Sequence, residues 1–368
     1  MTLEFLNTKA DGILKGIKTT FEGASNRTLY PAQTENLLLH TLAYRETLLR
    51  HDIQHCAEQN LVAYAIGEHL DALGVMMDTP RLQPTAAECR VRFTLDTPSQ
   101  SGRSFGAGTR VTTEDGKVAF ETLDAAYVIS GHSASSVVVA RCTALGTGGN
   151  GLDAGVVCAI DPAIEGVSVE NITGTEGGGD LESDRAYRER LSLSAARFGC
   201  GGSAKAYRYW ALSSSSLVAD ALAVNGAERG DILIYILSNE GDPSVELLAT
   251  VREVCNQNDV RLIGDRIDAV AAIRREYSIR AEVTVFDSHD SEIVLDKVRA
   301  LAAEYALAHR ARLGADITPT QVMLALGPLR DGIYNVNLIE PHEIISIGEA
   351  EWAECTEIDI RLAGVSHG

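Results

Sequence analysis

The stretch from Thr34 to Gly74, TENLLLHTLAYRETLLRHDIQHCAEQNLVAYAIGEHLDALG, places Leu38, Leu42, Leu49, Ile53, Ala57, Leu61, Ala65, Ile66, Leu70 and Leu73 mostly three or four residues apart, with one gap of seven. That rhythm returns to one side of a helix of about 3.6 residues per turn, and it predicts one long amphipathic helix or two nearly collinear ones. At about 1.5 Å per residue such a helix would run about 60 Å, more than a small domain needs, so part of it is expected to pack outside its own core. Gly74 is read as a left-handed cap, and Pro80 keeps the helix from resuming. Upstream, residues 1–33 have weak periodicity and a turn-rich GASNRTLYP, which predicts a short helix and an extended arm that orders on a partner.

Downstream the period changes to two. CRVRFTL, GTRVTTEDGKVAFET, AAYVIS and SSVVVARCTAL are short alternating runs with turn residues between them, and Asp115-Gly116 marks a hairpin. These predict an all-β insert over 88–160, a small sandwich or barrel. A helix is expected over 183–198, bracketed by glycines 177–179, 199 and 201–202, with Ser203 capping the next one. LVADALAV and DILIYILS read as paired strands, Ser244 to Asn258 as a helix, YSIRAEVTVF as a strand and Glu292 to Arg312 as a helix. Thr318-Pro319 reads as a cap followed by proline in the first turn, with GIYNVNLIE and TEIDIRLAG as closing strands. The fold class is therefore multidomain α+β: an arm (1–33), a helical domain (34–87), the β insert (88–160), a middle α+β domain (161–275) and a C-terminal α+β domain (276–368).

The 368 residues are 45% hydrophobic, and 51 acidic against 32 basic residues leave a net charge of −19. Such an excess repels phosphate backbones and anionic lipid, so neither nucleic acid nor membrane is an expected partner. The N-terminus carries Glu4 and Asp11 where a signal peptide would be basic and then apolar, which predicts cytoplasmic synthesis without a signal peptide. Seven cysteines stand singly, with no C-x-x-C pair, and read as reduced and mostly buried.

The chemical motifs break on inspection. Gly146-Thr147-Gly148-Gly149-Asn150-Gly151 spells a dinucleotide fingerprint, but LDAGVVCAIDP after it is a strand sequence where a helix must cradle the pyrophosphate. His51 and His55 have metal-ligand spacing on a helix, yet Asp52 replaces the basic glutamate of zinc proteases and no third ligand is near at ligand spacing. Gly131-His132-Ser133-Ala134-Ser135 lacks the last glycine of a nucleophile elbow. No catalytic, cofactor-binding or metal residue is assigned. An alternative rests on the carboxylate-rich regions 176–184 and 349–359, which could supply the acid pair of a cell-wall hydrolase.

Taken in order, the segments carry a resemblance. LAYRETLLRHDIQHCAEQNLVAYAIGEHLDALGVMMDTPRL (42–82), FGAGTRVTTEDGKVAFET, GTGGNGLDAG, EGVSVENITGTEGGGDLESDRAYRERL, GCGGSAKAYRYWAL, GDILIYIL, LIGDRIDAVAA and GIYNVNLIEP resemble the baseplate J-like protein family of contractile phage tails, over about residues 30–345. The resemblance implies a structural wedge subunit and no enzyme. Such proteins clasp each other as dimers, form a ring around the central hub and spike with other wedge and fibre-adaptor proteins, and take part in the switch that releases sheath contraction. Expected interface residues are Leu38, Leu42, Leu49, Ile53 and Leu61, and expected hinge residues are Gly178, Gly179, Gly201 and Gly202. Glu182, Arg185, Arg188 and Arg190 match the family's charged helix, with a solvated face as the plainer reading.

Overall fold

The computed structural model describes residues 3–31, 33–98, 100–198, 202–327 and 332–367, and Gly201 lies outside them. The chain divides into two compact units, Met1–Arg81 with Tyr187–Ser192, and Leu82–Ala186 with Leu193–Gly368. Its class is mixed α+β.

The first unit is helical. The short helix expected near the chain start is α1 (Ala10–Ser25), and it folds back on α2 (Thr34–Glu58) where an extended arm was expected to follow. Ile13 of α1 is buried, and so are Asn36, Leu39 and Ala43 on the side of α2 that α1 occupies. The Gln54 side chain stitches the chain start down, accepting from the Phe5 amide at 2.8 Å and donating to the Leu3 carbonyl at 2.7 Å, while Arg50 donates to the Asn7 carbonyl.

Of the two readings of the 34–74 stretch, one helix or two, the structure has two. α2 stops at Glu58, a turn follows, and α3 (Gly67–Met76) starts at a glycine with φ 54°. Buried Gln59 accepts from the Ile66 amide across that turn. Ala65, Leu70, Val62 and Leu73 then pack around Tyr187 and Leu191, which α4 (Asp184–Leu193) contributes from far along the chain. The apolar rhythm persists through the turn because both sides of it feed this one cluster.

Gly74 is not a cap. It sits inside α3, buried, and a Cβ there would lie 1.6 Å from the Tyr187 hydroxyl oxygen. That hydroxyl donates to the Thr79 carbonyl at 2.8 Å, so glycine is needed for close approach and not for a left-handed turn.

The second unit opens with β1 (Ala86–Leu95), β2 (Arg103–Phe105), β3 (Arg110–Thr113), β4 (Ala119–Thr122), β5 (Ala126–Val128), β6 (Val138–Leu145), β7 (Val157–Asp161) and β8 (Val167–Asn171). Six of them form one sheet in the order β7-β3-β4-β6-β1-β8, so its strands continue past residue 160. The sheet curls until its end strands meet. Asn171, buried, accepts from the Val157 amide through Oδ1 and donates through Nδ2 to the Asp153 and Thr173 carbonyls. Val91, Phe93, Val111, Phe120, Ala140 and Val157 fill the interior, with Phe93 and Phe105 stacked at 4.4 Å. The Asp115-Gly116 hairpin joins β3 and β4 as read, with Gly116 at φ 69°.

Two α/β layers complete this unit. α5 (Ala204–Ser214) is capped by Ser203, and β9 (Val218–Asn225) pairs antiparallel with β10 (Asp231–Ser238). α6 (Val245–Cys255) carries the chain over to β11 (Arg266–Ala271), parallel to β10. The last layer sets β12 (Ile273–Phe286) between β13 (Ile333–Glu340) and β14 (Glu351–Ser366). α7 (Ser291–Arg310) lays Val294, Leu295, Val298, Ala302 and Tyr305 on Tyr277, Ile279, Ala281, Val283 and Val285 of β12. α8 (Pro319–Ala325), capped by Thr318, closes the same core.

Candidate assembly surface

α2 spans about 37 Å at about 1.5 Å per residue and gives only one side to α1. On the rest stand Leu37, Leu38, Leu42, Tyr44, Leu48, Leu49 and Ile53, each between 41% and 68% exposed. Ile53 thus lies outside the core with the leucines, and Leu61 is half-buried in the turn. A stripe reaching water along a helix whose adjoining side is already used is a candidate contact surface. Four of the five interface residues taken from the sequence fall on it. Leu37, Tyr44 and Leu48, also exposed, form a second stripe about a third of a turn round the same helix, which the sequence spacing did not single out.

The glycine joints look different from the expectation. Gly178 and Gly179 are buried and have no left-handed φ. A Cβ on Gly178 would stand 2.4 Å from the Gly146 carbonyl oxygen, and one on Gly179 2.5 Å from the Ser216 hydroxyl. The Asn150 side chain clamps Gly178, accepting from its amide and donating to its carbonyl, both at 2.8 Å, while Thr85 and Gly179 exchange backbone bonds. This is a pinned crossing of two backbones, with none of the torsional freedom a hinge needs. Gly202 is left-handed at φ 47°, beside Leu262, Tyr207 and Asp265.

The charged helix is neither wholly solvated nor wholly outward. Arg188 donates to the Val62 and Ala65 carbonyls, and Arg190, 2% exposed, donates to the Pro80 carbonyl. The guanidinium groups of Arg81 and Arg190 lie 4.6 and 5.3 Å from the centre of the Tyr187 ring, so these cations tie α4 to the turns on either side of α3. Glu182 accepts from the Leu82 amide, and Arg185 is exposed.

Several carboxylates of the two acidic regions are engaged. Asp180 accepts from the Thr147 amide and hydroxyl, Glu351 pairs with Arg275, Glu354 with Arg310, Glu357 with Arg280 and Asp359 with Arg361. Glu176 is the exception in kind. It shares a groove of about 780 Å³ with Glu88, Arg90, Arg141 and Glu246, and burial, then the facing Glu246 carboxylate, push its carboxyl above the usual range. His51 and His55 lie on a shallow open surface with Asp52 and Glu58. Among the described residues no group of three or more His, Cys, Asp or Glu side chains is placed to hold a metal ion, and no helix is long and apolar enough to cross a membrane. Cys89, Cys142 and Cys255 are buried, and burial pushes the thiols of Cys89 and Cys255 up to about 12; Cys56 and Cys158 are exposed. The glycine run 146–151 forms a single 3₁₀ turn, Thr147–Gly149, after β6, so no helix N-terminus follows it.

Three family models match in chain order: the Baseplate J-like N-terminal domain over residues 36–88, the Baseplate J-like protein barrel domain over 90–178 and the Baseplate J-like protein C-terminal domain over 277–361. Baseplate protein J of Escherichia phage P2 is 33% identical over 187 residues, which is 50% of this chain and 60% of that protein. A chain in the cryo-EM structure of the anti-feeding prophage baseplate, 6-fold symmetrised, overlaps 95% of this chain and 90% of its own length at a TM-score of 0.42 and 12% identity, too loose an overlap to carry an argument. With its N-terminal, barrel and C-terminal domains all matched and in order, the chain belongs to the baseplate J-like protein family.

Proposed function

We propose that this chain is a structural wedge subunit of a contractile tail baseplate, which joins copies of itself and other baseplate proteins in a ring around the hub and spike and takes part in the switch that triggers sheath contraction. The observation that carries the proposal is the open apolar side of α2. Covering a half-exposed leucine-sized side chain gains about 1 kcal/mol, so the seven residues together supply roughly 7 kcal/mol. Association itself costs about 4–15 kcal/mol, so this surface needs further contacts within the particle to hold a ring. A subunit that is closed into a ring by several modest contacts can also release one of them when the ring changes diameter. With Gly178 and Gly179 pinned, the glycine break around Gly202 is the remaining candidate joint. Contact, and not catalysis, is the work assigned to the molecule, with Asp180, Glu351 and Glu357 holding backbone amides and arginines.

The test is deletion of the gene from its tail cluster, followed by electron microscopy and infectivity or killing assays. Sheaths and tubes without complete baseplates are expected. Contractile particles of normal form and activity would refute the proposal, and peptidoglycan clearing by the purified chain, lost on a single Glu or Asp substitution, would replace it with the hydrolase reading.

A further inference from the structure

The β1–β8 sheet and the last layer each close on a core of their own, one around Phe93 and Phe120, the other around Ile279 and Val298. The turn 238–241, which leaves β10, reaches toward both. Ser238 and Gly241 exchange backbone bonds at 3.0 Å across it. Asn239 fixes it to the middle layer, donating its amide to the Leu217 carbonyl and its side chain to the Ser216 carbonyl. Glu240 at its tip is held from two sides. Asn150, whose side chain clamps Gly178, also donates to the Glu240 carboxylate at 3.1 Å. Arg310, at the end of α7, donates to the Glu240 main-chain carbonyl. Arg310 in turn belongs to the last layer: it pairs with Glu354 at 3.2 Å, and its guanidinium lies 5.9 Å from the centre of the Trp352 ring. Trp352, fully buried, packs with Leu237 and with Ala272, the single residue between β11 and β12. Gly241 gives this approach its room. Its φ is 105°, and a Cβ there would stand 2.7 Å from an Arg310 nitrogen and 3.1 Å from the Trp352 ring.

We propose that the turn 238–241 is a latch coupling the β1–β8 sheet to the last layer, with Glu240 held by the sheet side through its carboxylate and by α7 through its carbonyl. With both bonds made, a shift of Asn150 is handed to Arg310 through one residue; with either bond broken, the two sides move independently. Both bonds lie at the surface, whereas the cores they join are buried. Strain can therefore open the latch without unfolding either core. The turn falls within 179–276, between the barrel and C-terminal matches, so it links those two domains through a stretch that neither match covers. Coupling of this kind is a property of the single chain and stands or falls separately from the wedge role.

The test is residue-resolved hydrogen exchange in the full chain. Arg310→Ala should speed exchange of the Gly178 amide, which Asn150 accepts, by at least about fivefold, the size of a coupling within one hydrogen-bond network. Glu240→Ala should do the same, and the two substitutions together should add nothing at Gly178 beyond Glu240→Ala alone. Glu354→Gln is the control: it removes the ion pair of Arg310 but not the carbonyl bond, so Gly178 should exchange at its original rate. Changes confined to α7 and β14 in Arg310→Ala would overturn the proposal, because the contact would then be local. Glu354→Gln acting on Gly178 as strongly as Arg310→Ala would overturn it too, as general loosening of the last layer. Should Arg310→Ala fail to fold, Glu240→Ala is read from the other side, at the Leu313 amide that Asp220 accepts. Exchange there about fivefold faster is expected, and an unchanged rate would refute the latch.

Discussion

Replacing Gly74 by alanine tests the packing that holds α3 to α4. In an open helix the change would stabilise by about 1 kcal/mol, because glycine loses more backbone entropy on ordering. Here the new methyl would lie 1.6 Å from the Tyr187 hydroxyl oxygen, 2.6 Å from the ring carbon that bears it and 2.8 Å from the Thr79 carbonyl oxygen. The phenol has nowhere to go, being 0% exposed with Arg81 and Arg190 beside its ring. Overpacking of this sort costs about 1–3 kcal/mol. Driving the hydroxyl off Thr79 leaves a buried carbonyl unpaired, about 1–3 kcal/mol more. After the helix-propensity gain the net destabilisation is about 1–5 kcal/mol. Hydrogen exchange of the α3 amides in the full chain is the suitable assay, because it reads the local opening energy of one unit without requiring two-state unfolding of both. Tyr187→Phe provides the control. It removes the oxygen at 1.6 Å but not the ring carbon, so Gly74→Ala should cost at least about 1 kcal/mol less in that background. If Gly74→Ala slowed exchange in α3, or cost the same with and without the hydroxyl, the close-approach argument would be wrong.

Other outcomes follow from single side chains. Asn171→Ala removes the amide that joins the two end strands of the β sheet, leaving the Val157 amide and two carbonyls without it; about 3–5 kcal/mol should be lost, seen as early exchange in β7 and β8. Burial beside Glu246 raises the Glu176 carboxyl above its unfolded value, so the stability tied to its proton is complete below the unfolded pKa and lost as pH rises through the folded one. Glu176→Gln should therefore raise the melting temperature near pH 7 and change little near pH 4, and an equal effect at both would contradict the carboxyl's assigned surroundings. Asp290 caps α7 by accepting from the Glu292 and Ile293 amides, so Asp290→Ala should cost about 1 kcal/mol in urea melts followed on the C-terminal layer.

Where structure was set by neighbours in sequence, it was readable. Ser203, Ser244 and Thr318 cap their helices, Asp115-Gly116 turns its hairpin, and β9, β10, β12, β13 and β14 cover the runs read as strands, whereas β11 was not read. What escaped was set by residues far away. The turn after Glu58 is invisible to periodicity, because Ala65 and Leu70 keep the apolar rhythm for the sake of Tyr187 and Leu191, more than a hundred residues on. Gly74 stands at the end of an apolar series, where a cap is usual, but answers to a tyrosine in α4. Gly178 and Gly179 read as freedom in a one-dimensional string and prove to be clearance for a crossing chain held by Asn150. The leucines of α2 were identified, yet only the folded form, with α1 laid on one side, separated those turned inward from those left open.

The account stands most directly on whether this chain is a stoichiometric part of a tail. Quantitative mass spectrometry of purified contractile particles from the source cell, with the sheath and tube proteins as internal standards, measures this. The chain is expected at a fixed copy number per particle that survives high-salt washing. Its absence from intact, contraction-competent particles would contradict it.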